Sequence, residues 1–114
     1  MSKRDVSLLL DDILTAIEKI DRYVAGLDRE QFLNDEKSID AVVRNLEIIG
    51  EATRQLPDEF ITQQPHIPWQ QMAGLRNRIV HEYFGLDLDI VWEIIQRHLP
   101  PLRQQIFPLL KRTA

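Results

Sequence analysis

The chain contains no cysteine, which excludes disulfides, thiolate zinc sites and a cysteine nucleophile together and suits a reducing compartment such as the cytoplasm. It also lacks any long hydrophobic run. The apolar stretch Leu8 to Leu10 stops at Asp11 and Asp12, far short of a signal peptide or a membrane span, so a cytoplasmic protein with no membrane partner is expected. Positive charge is not in excess either. A net charge of -4 argues against a non-specific polyanion binder, because such binding is driven by cations displacing counterions from phosphates. No segment reads as a strand, a repeat or a low-complexity tract. His66 and His98 show no ligand spacing with each other or with His81, and no acidic cluster completes a metal site. Neither a metal nor another cofactor is therefore expected.

The 114 residues suit a single domain spanning 1–114, with one modest core that hides roughly two thirds of the unfolded surface. Apolar residues at 44% and charged residues at 28% are ordinary globular usage, which excludes disorder. The charge is unevenly spread. Residues 1–60 hold 8 Lys/Arg against 14 Asp/Glu, while residues 61–114 hold 6 against 4, so a local basic site in the second half remains open beside ordinary scatter of surface charge.

Val6, Leu10, Ile13, Ile17, Ile20 and Val24 recur every three or four residues and predict a long amphipathic helix stopping near Gly26. A short segment follows around Asp28 to Leu33. Ile39, Val42, Val43, Leu46, Ile49, Thr53 and Leu56 then repeat the helical period as far as Pro57, and Asp58 to Gln64 suits one or two further turns. Pro68 fits the first turn of a third helix, expected to run to about His81 and to end at Gly85. Asp87 reads as an N-cap for a last stripe of Val91, Ile94, Ile95, Leu99, Leu102, Ile106 and Leu109. Pro100 and Pro101 fall inside that stripe and predict a kink or a break. The fold class is all-α, a bundle of four to five main helices. Gly50 and Gly74 lie inside two of these helices at a cost of ~1 kcal/mol each relative to alanine, which close approach of two helix backbones would explain.

The densest chemical cluster is Arg76-Asn77-Arg78-Ile79-Val80-His81-Glu82-Tyr83. Histidine, with a reference pKa of ~6.5, is the side chain best suited to moving protons near neutrality. Arginine stays charged and holds phosphate oxygens through two parallel hydrogen bonds. Together they supply what cleavage of an RNA phosphodiester needs without a metal: the ribose 2′-hydroxyl attacks phosphorus, His81 moves a proton, and Arg76 stabilises the transition-state charge. Such chemistry points to RNA and not to DNA.

Spacing complicates this arrangement, because five residues on an ideal helix turn a side chain by about 140°. Asn77 shares a face with His81, Arg78 lies near it, and Arg76 aligns with Tyr83, but Arg76 and His81 diverge. Either the chain leaves the helix near His81 or a second subunit completes the site, and the second solution is preferred. On the second helix, Arg44, Glu47, Glu51 and Arg54 recur opposite the apolar stripe as a solvated ladder of ion pairs, or else as part of a dimer or active-site face in which Arg44 and Glu47 participate.

The arginine and histidine of Arg76 to His81, extended to Tyr83, resemble the signature of the HEPN family. Gly74-Leu75-Arg76-Asn77, Val80-His81-Glu82-Tyr83-Phe84, Ile67-Pro68-Trp69 and Arg44-Asn45-Leu46-Glu47-Ile48-Ile49-Gly50-Glu51-Ala52 are similar to the HepT toxins within that family, over nearly the whole chain. The resemblance implies a HEPN-type up-and-down helical bundle and a homodimer with two such motifs at its interface. It implies metal-independent cleavage of cellular RNA, transfer or messenger, by the toxin of a type VII toxin–antitoxin system, with Arg76 and His81 catalytic; from their spacing, Asn77, Arg44 and Glu47 are taken as supporting residues. It further implies silencing by a cognate nucleotidyltransferase that transfers AMP to the motif tyrosine, Tyr83.

Blander readings exist for each residue. His81 could be a structural histidine held by a carbonyl, Tyr83 a packing residue, and Arg76 and Arg78 mere partners of Glu82 or solvent, a reading accepted for Arg78. Trp69 and Trp92 read as core and not as platforms for stacking RNA. The rival for the whole chain is a non-catalytic HEPN-like module that binds a nucleotide or a nucleotidyltransferase, and behind it a structural helical adaptor.

Overall fold

A computed structural model describes residues 4–81 and 85–113, the side chains of His81 and Thr113 excepted. The first helix, α1 (Val6–Val24), buries Leu9, Leu10, Ile13, Ile17 and Ile20 along one face. It ends where Gly26 takes φ +81°, a conformation that costs other residues a Cβ clash. Helix α2 (Arg29–Leu33) is held by a reciprocal cap: the Gln31 N–H donates to the Asp28 carboxylate at 2.8 Å, and the Gln31 side-chain oxygen accepts from the Asp28 N–H at 2.9 Å. Two orphan amides at the start of this short helix are thus satisfied.

Helix α3 (Glu36–Arg54) starts at Asp35, whose carboxylate accepts from the Ser38 N–H and hydroxyl. It lays Ile39, Val42, Leu46 and Ile49 against α1. Each such fully buried side chain contributes ~1.5–3 kcal/mol relative to an exposed one. Helix α4 (Asp58–Gln63) follows Pro57, and the bundle closes with α7 (Leu88–Glu93) and α8 (Leu99–Thr113), of which α8 also packs on α1. The architecture is the all-α, HEPN-type bundle expected. Among the described residues no helix is long and apolar enough to cross a membrane.

The third helix does not run to His81. It divides into α5 (Trp69–Ala73) and α6 (Leu75–Ile79), with Gly74 at the junction (φ -94°, ψ 10°). Val80 then turns to extended backbone, and β1 (Val80–His81) pairs antiparallel with β2 (Gly85–Leu86), Val80 opposite Leu86 and His81 opposite Gly85. The Asp87 N–H donates to the Ile79 carbonyl at 2.7 Å, which locks the exit from α6. Gly85 opens the second strand at φ +76° instead of ending a helix. A helical apolar period through Leu75 and Ile79 conceals this change, because two residues of strand are too few to show alternation.

Close approach of helix backbones accounts for one of the two internal glycines. A Cβ at Gly50 would lie 3.3 Å from the Met72 carbonyl oxygen and 3.5 Å from that of Ala73, so α3 and α5 meet backbone to backbone there. At Gly74 the nearest atoms are carbonyls of α5 itself at ordinary van der Waals distance. Its place is a junction between helices, not a close approach.

The interruption expected near Pro100 and Pro101 lies just ahead of them, with a new helix restarting at Leu99. A π turn over Ile94–His98 joins α7 to α8, and within it the Leu99 N–H donates to the Ile94 carbonyl. Both prolines then fall in the first turn of α8, where a missing N–H is tolerated. The wide turn also brings Ile94 and Leu99, five residues apart, onto one buried side. Asp87 caps α7 as expected, its carboxylate accepting from the Ile90 N–H at 3.1 Å.

Candidate active site

Arg76 is exposed on α6 and opens onto a cleft of about 440 Å³ whose other wall is α3, with Arg44, Glu47, Gly50, Glu51 and Arg54. Asp12 of α1 reaches the same cleft. The close approach at Gly50 is what allows this. Because no side chain intervenes, the α5–α6 segment sits tightly against α3, and the Arg54 guanidinium donates to the Ala73 carbonyl at 2.5 Å, occupying an acceptor at the end of α5.

The charges of the cleft are only partly paired. Asp12 accepts two hydrogen bonds from Arg4 at 2.9 and 3.1 Å, and Glu51 accepts from Arg54 at 2.8 Å. Among the described residues Arg44, Glu47 and Arg76 close no ion pair. The ladder expected along α3 is therefore reduced to its last rung, and Arg44 with half-buried Glu47 faces the cleft beside Arg76. Two unpaired guanidiniums in one concavity can hold phosphate oxygens, and an unpaired carboxylate beside them can accept a hydroxyl proton in a hydrogen bond.

Asn77 is exposed next to Arg76 on α6. The backbone of His81 lies in β1, two residues beyond the end of α6, so the helical geometry used to relate Arg76, Asn77 and Arg78 to His81 does not apply. Of the two solutions to that spacing, the chain does leave the helix before His81. The side chain of His81, and Tyr83 with its neighbours Glu82 and Phe84, lie outside the described residues.

Trp69 is core, its indole N–H donating to the Gln64 carbonyl at 3.0 Å and its ring packed on Phe60. Trp92 is half-buried with its ring centroid 5.3 Å from that of Phe32. Among the described residues no group of His, Asp or Glu could hold a metal ion. Two residues of the cleft escape sequence reasoning. The helical pattern puts Asp12 on an outer face of α1 and makes Arg54 one rung of a ladder; neither carries a local signal for the tertiary neighbours it meets.

Comparison with known proteins decides the family, since the sequence profile of "Ribonuclease HepT-like" matches residues 13–108. The chain belongs to the HepT-like ribonuclease family. A ribonuclease is the class of enzyme expected from the motif. A "Probable ribonuclease HepT" of Thermococcus cleftensis is 39% identical over 109 residues, covering 96% of this chain and 99% of the relative. A candidate RNase of Methanocaldococcus jannaschii is 39% identical over 111 residues, covering 97% of this chain and 92% of the relative. The "mRNA nuclease HepT" of Shewanella oneidensis is 43% identical over 49 residues, 43% of this chain and 37% of the relative. No solved structure matches the chain. The HepT-like match runs from Ile13 within α1 through most of α8, and so includes the α3 and α6 walls of the cleft but not Asp12.

Proposed function

We propose that residues 1–114 form one HepT-type toxin domain, the toxin of a type VII toxin–antitoxin pair, which acts as a homodimer and cuts transfer or messenger RNA without a metal. The observation that carries this reading is the exposed Arg76 on a cleft that also holds Arg44 and Glu47 with no ion-pair partner among the described residues. The nucleophile is the RNA's own 2′-hydroxyl. It attacks the adjacent phosphorus while the 5′-oxygen of the next nucleotide departs, leaving a 2′,3′-cyclic phosphate and a 5′-hydroxyl. His81 moves the proton in this step. Arg76 holds the phosphate oxygens as charge builds on them, a contribution on the order of 10²- to 10³-fold for one such donor. Arg44, Glu47 and Asn77 support the substrate around it.

The antitoxin in this reading is a cognate nucleotidyltransferase that uses ATP. The Tyr83 hydroxyl displaces pyrophosphate from the α-phosphorus, and the AMP so attached brings a bulky nucleoside and a negative charge within two residues of His81. RNA phosphates are then repelled and sterically excluded.

The test is to express the chain alone and with the partner. The wild-type chain should arrest growth and cut RNA in buffer containing chelator, His81→Ala and Arg76→Ala should abolish both with helicity unchanged, and co-expression should add an AMP increment to the intact mass that Tyr83→Phe removes. A fully toxic His81→Ala variant would sink the role of the histidine, and an unmodified mass with the partner present would sink that of Tyr83.

A further inference from the structure

Arg76 and Arg78 are two residues apart on α6, about 200° round the helix, and open onto different clefts. The second is a groove of about 330 Å³ between α5–α6 and the π turn with the start of α8. Its apolar lining consists of exposed Pro68 and Pro101 over the buried side chains of Met72, Leu75, Ile94, Leu99 and Leu102. Its titratable rim consists of His66, Arg78, Arg97 and His98, and no acidic residue lines it among those described. The π turn supplies two of these four, Arg97 and His98. Wide turns of this kind recur at functional sites.

Like Arg44 and Arg76 of the first cleft, two arginines of this groove are left without a carboxylate among the described residues. Arg4, Arg29, Arg54 and Arg103 each meet a carboxylate. Among the described residues Arg78 and Arg97 meet none, although Glu93 and Asp89 lie near Arg97 at the mouth of a neighbouring hollow. A basic, acid-free rim around an apolar lining is complementary to a ligand with a flat apolar body and an anionic edge. An unstacked nucleotide has that form, and proteins that hold single strands combine arginines on the phosphates with apolar or aromatic surfaces against splayed bases. The groove is at the small end of ligand sites, ~300–1,000 Å³.

The geometry points to this groove as a second nucleotide subsite for single-stranded RNA, seating a base against exposed Pro68 and Pro101 and its flanking phosphates on Arg78 and Arg97. It rests on the ribonuclease reading above. The two clefts are separated by the width of α6, on the order of 10 Å, so the nucleotide held belongs to the strand being cut, close to the scissile phosphate. The subsite thereby selects an unpaired strand, since a base stacked in a duplex cannot reach that lining.

A fluorescent, fully 2′-O-methylated decamer tests this without cleavage, because the attacking hydroxyl is blocked. Its affinity for the full chain should fall on the order of tenfold in Arg78→Gln/Arg97→Gln, and the slope of log affinity against log salt should drop by about 1.4, or ~0.7 for each phosphate that is no longer neutralised. Gln71 is an exposed residue of the rim, so Gln71→Glu should weaken binding without touching the core. Gln70→Glu, one residue away and outside the groove, should not. A 4-thiouridine in the decamer should crosslink to Pro68 or to residues 94–102. Unchanged affinity and salt slope in both groove variants would overturn the inference, as would binding of free AMP tighter than that of the decamer. A chain that cuts RNA yet ignores these substitutions refutes the subsite alone. One that binds through the groove and never cuts refutes the ribonuclease reading alone.

Discussion

The pair α1 and α3 and the segment from Trp69 to His98 are built on different principles. The first is two uninterrupted helices of 19 residues each, with a continuous apolar face. The second is two helices of five residues, a strand pair of two residues each, a six-residue helix and a π turn. Long amphipathic helices draw their stability from tertiary packing of one face, so α1 and α3 can hold the bundle together. Short elements cannot stabilise themselves, yet they turn side chains in directions that a straight helix forbids. Arg76 and the backbone of His81 belong to this second region, as do Arg78, Arg97 and His98 of the groove. Regularity supplies the frame, and interruption aims the candidate chemistry.

The largest expected effect tests the frame. Ile13 is fully buried in α1, and Ile13→Ala should lower the unfolding free energy by about 2–5 kcal/mol, through reduced burial and a residual cavity. Chemical denaturation measures this, and RNA cleavage per folded molecule should be unchanged. A loss of cleavage at full stability would break the division of labour. A smaller effect tests the interrupted region. Gly85 sits at φ +76° with open space around the missing Cβ, so Gly85→Ala carries only the backbone strain, on the order of 1–2 kcal/mol. That variant should lose more cleavage than its modest loss of stability explains, because the strand pair that ends in His81 is displaced. Cleavage equal to wild type would show that the pairing does not position the motif.

The smallest effect belongs to the ends of the frame and is read in its pH dependence. Hydrogen bonds from the Ser38 hydroxyl and N–H hold the Asp35 carboxyl below its ordinary value. A lowered folded pKa means that the unfolded chain binds more protons in that window, so stability is present above the unfolded value and lost as pH falls through the folded one. Asp21 runs the other way. Partial burial raises its carboxyl, ahead of a lowering influence from Arg103 and a raising one from Glu18, so its contribution is lost as pH rises through the folded value. Asp35→Asn should flatten the acid arm of the stability curve, and Asp21→Asn should lift its neutral part slightly. Acid titration of thermal stability checks both, and a steeper acid arm in Asp35→Asn would contradict the capping role.

The long helices are legible because their information is local and redundant: α1 and α3 repeat one face over five turns, and Gly26 follows the end of α1; Asp87, the cap of the shorter α7, is legible because its target lies three residues on. So is the motif itself, since an arginine, an asparagine and a histidine within six residues stand out whatever their arrangement. The course of the chain through that motif is not. Leu75 and Ile79 keep a helical period on either side of Arg76, whereas the Asp87 hydrogen bond to Ile79 and the pairing of Val80 with Leu86 and of His81 with Gly85 hold the backbone out of the helix. Pro100 and Pro101 mark an irregularity in the last stripe, but the π turn that precedes them leaves no sign, because a single extra residue per turn keeps the apolar stripe almost intact.

By itself the sequence determined the helical class, the apolar stripes of the long helices and the candidate site motif, since each of these depends on residues within a turn or two of one another. The tertiary structure alone decided which charges of the cleft pair with one another, that Gly50 brings α5 and α6 against α3, and that Arg76 and Arg78 face separate clefts. Those outcomes depend on residues far apart in the chain meeting in space, and the one-dimensional pattern carries no record of the backbone approach that creates them.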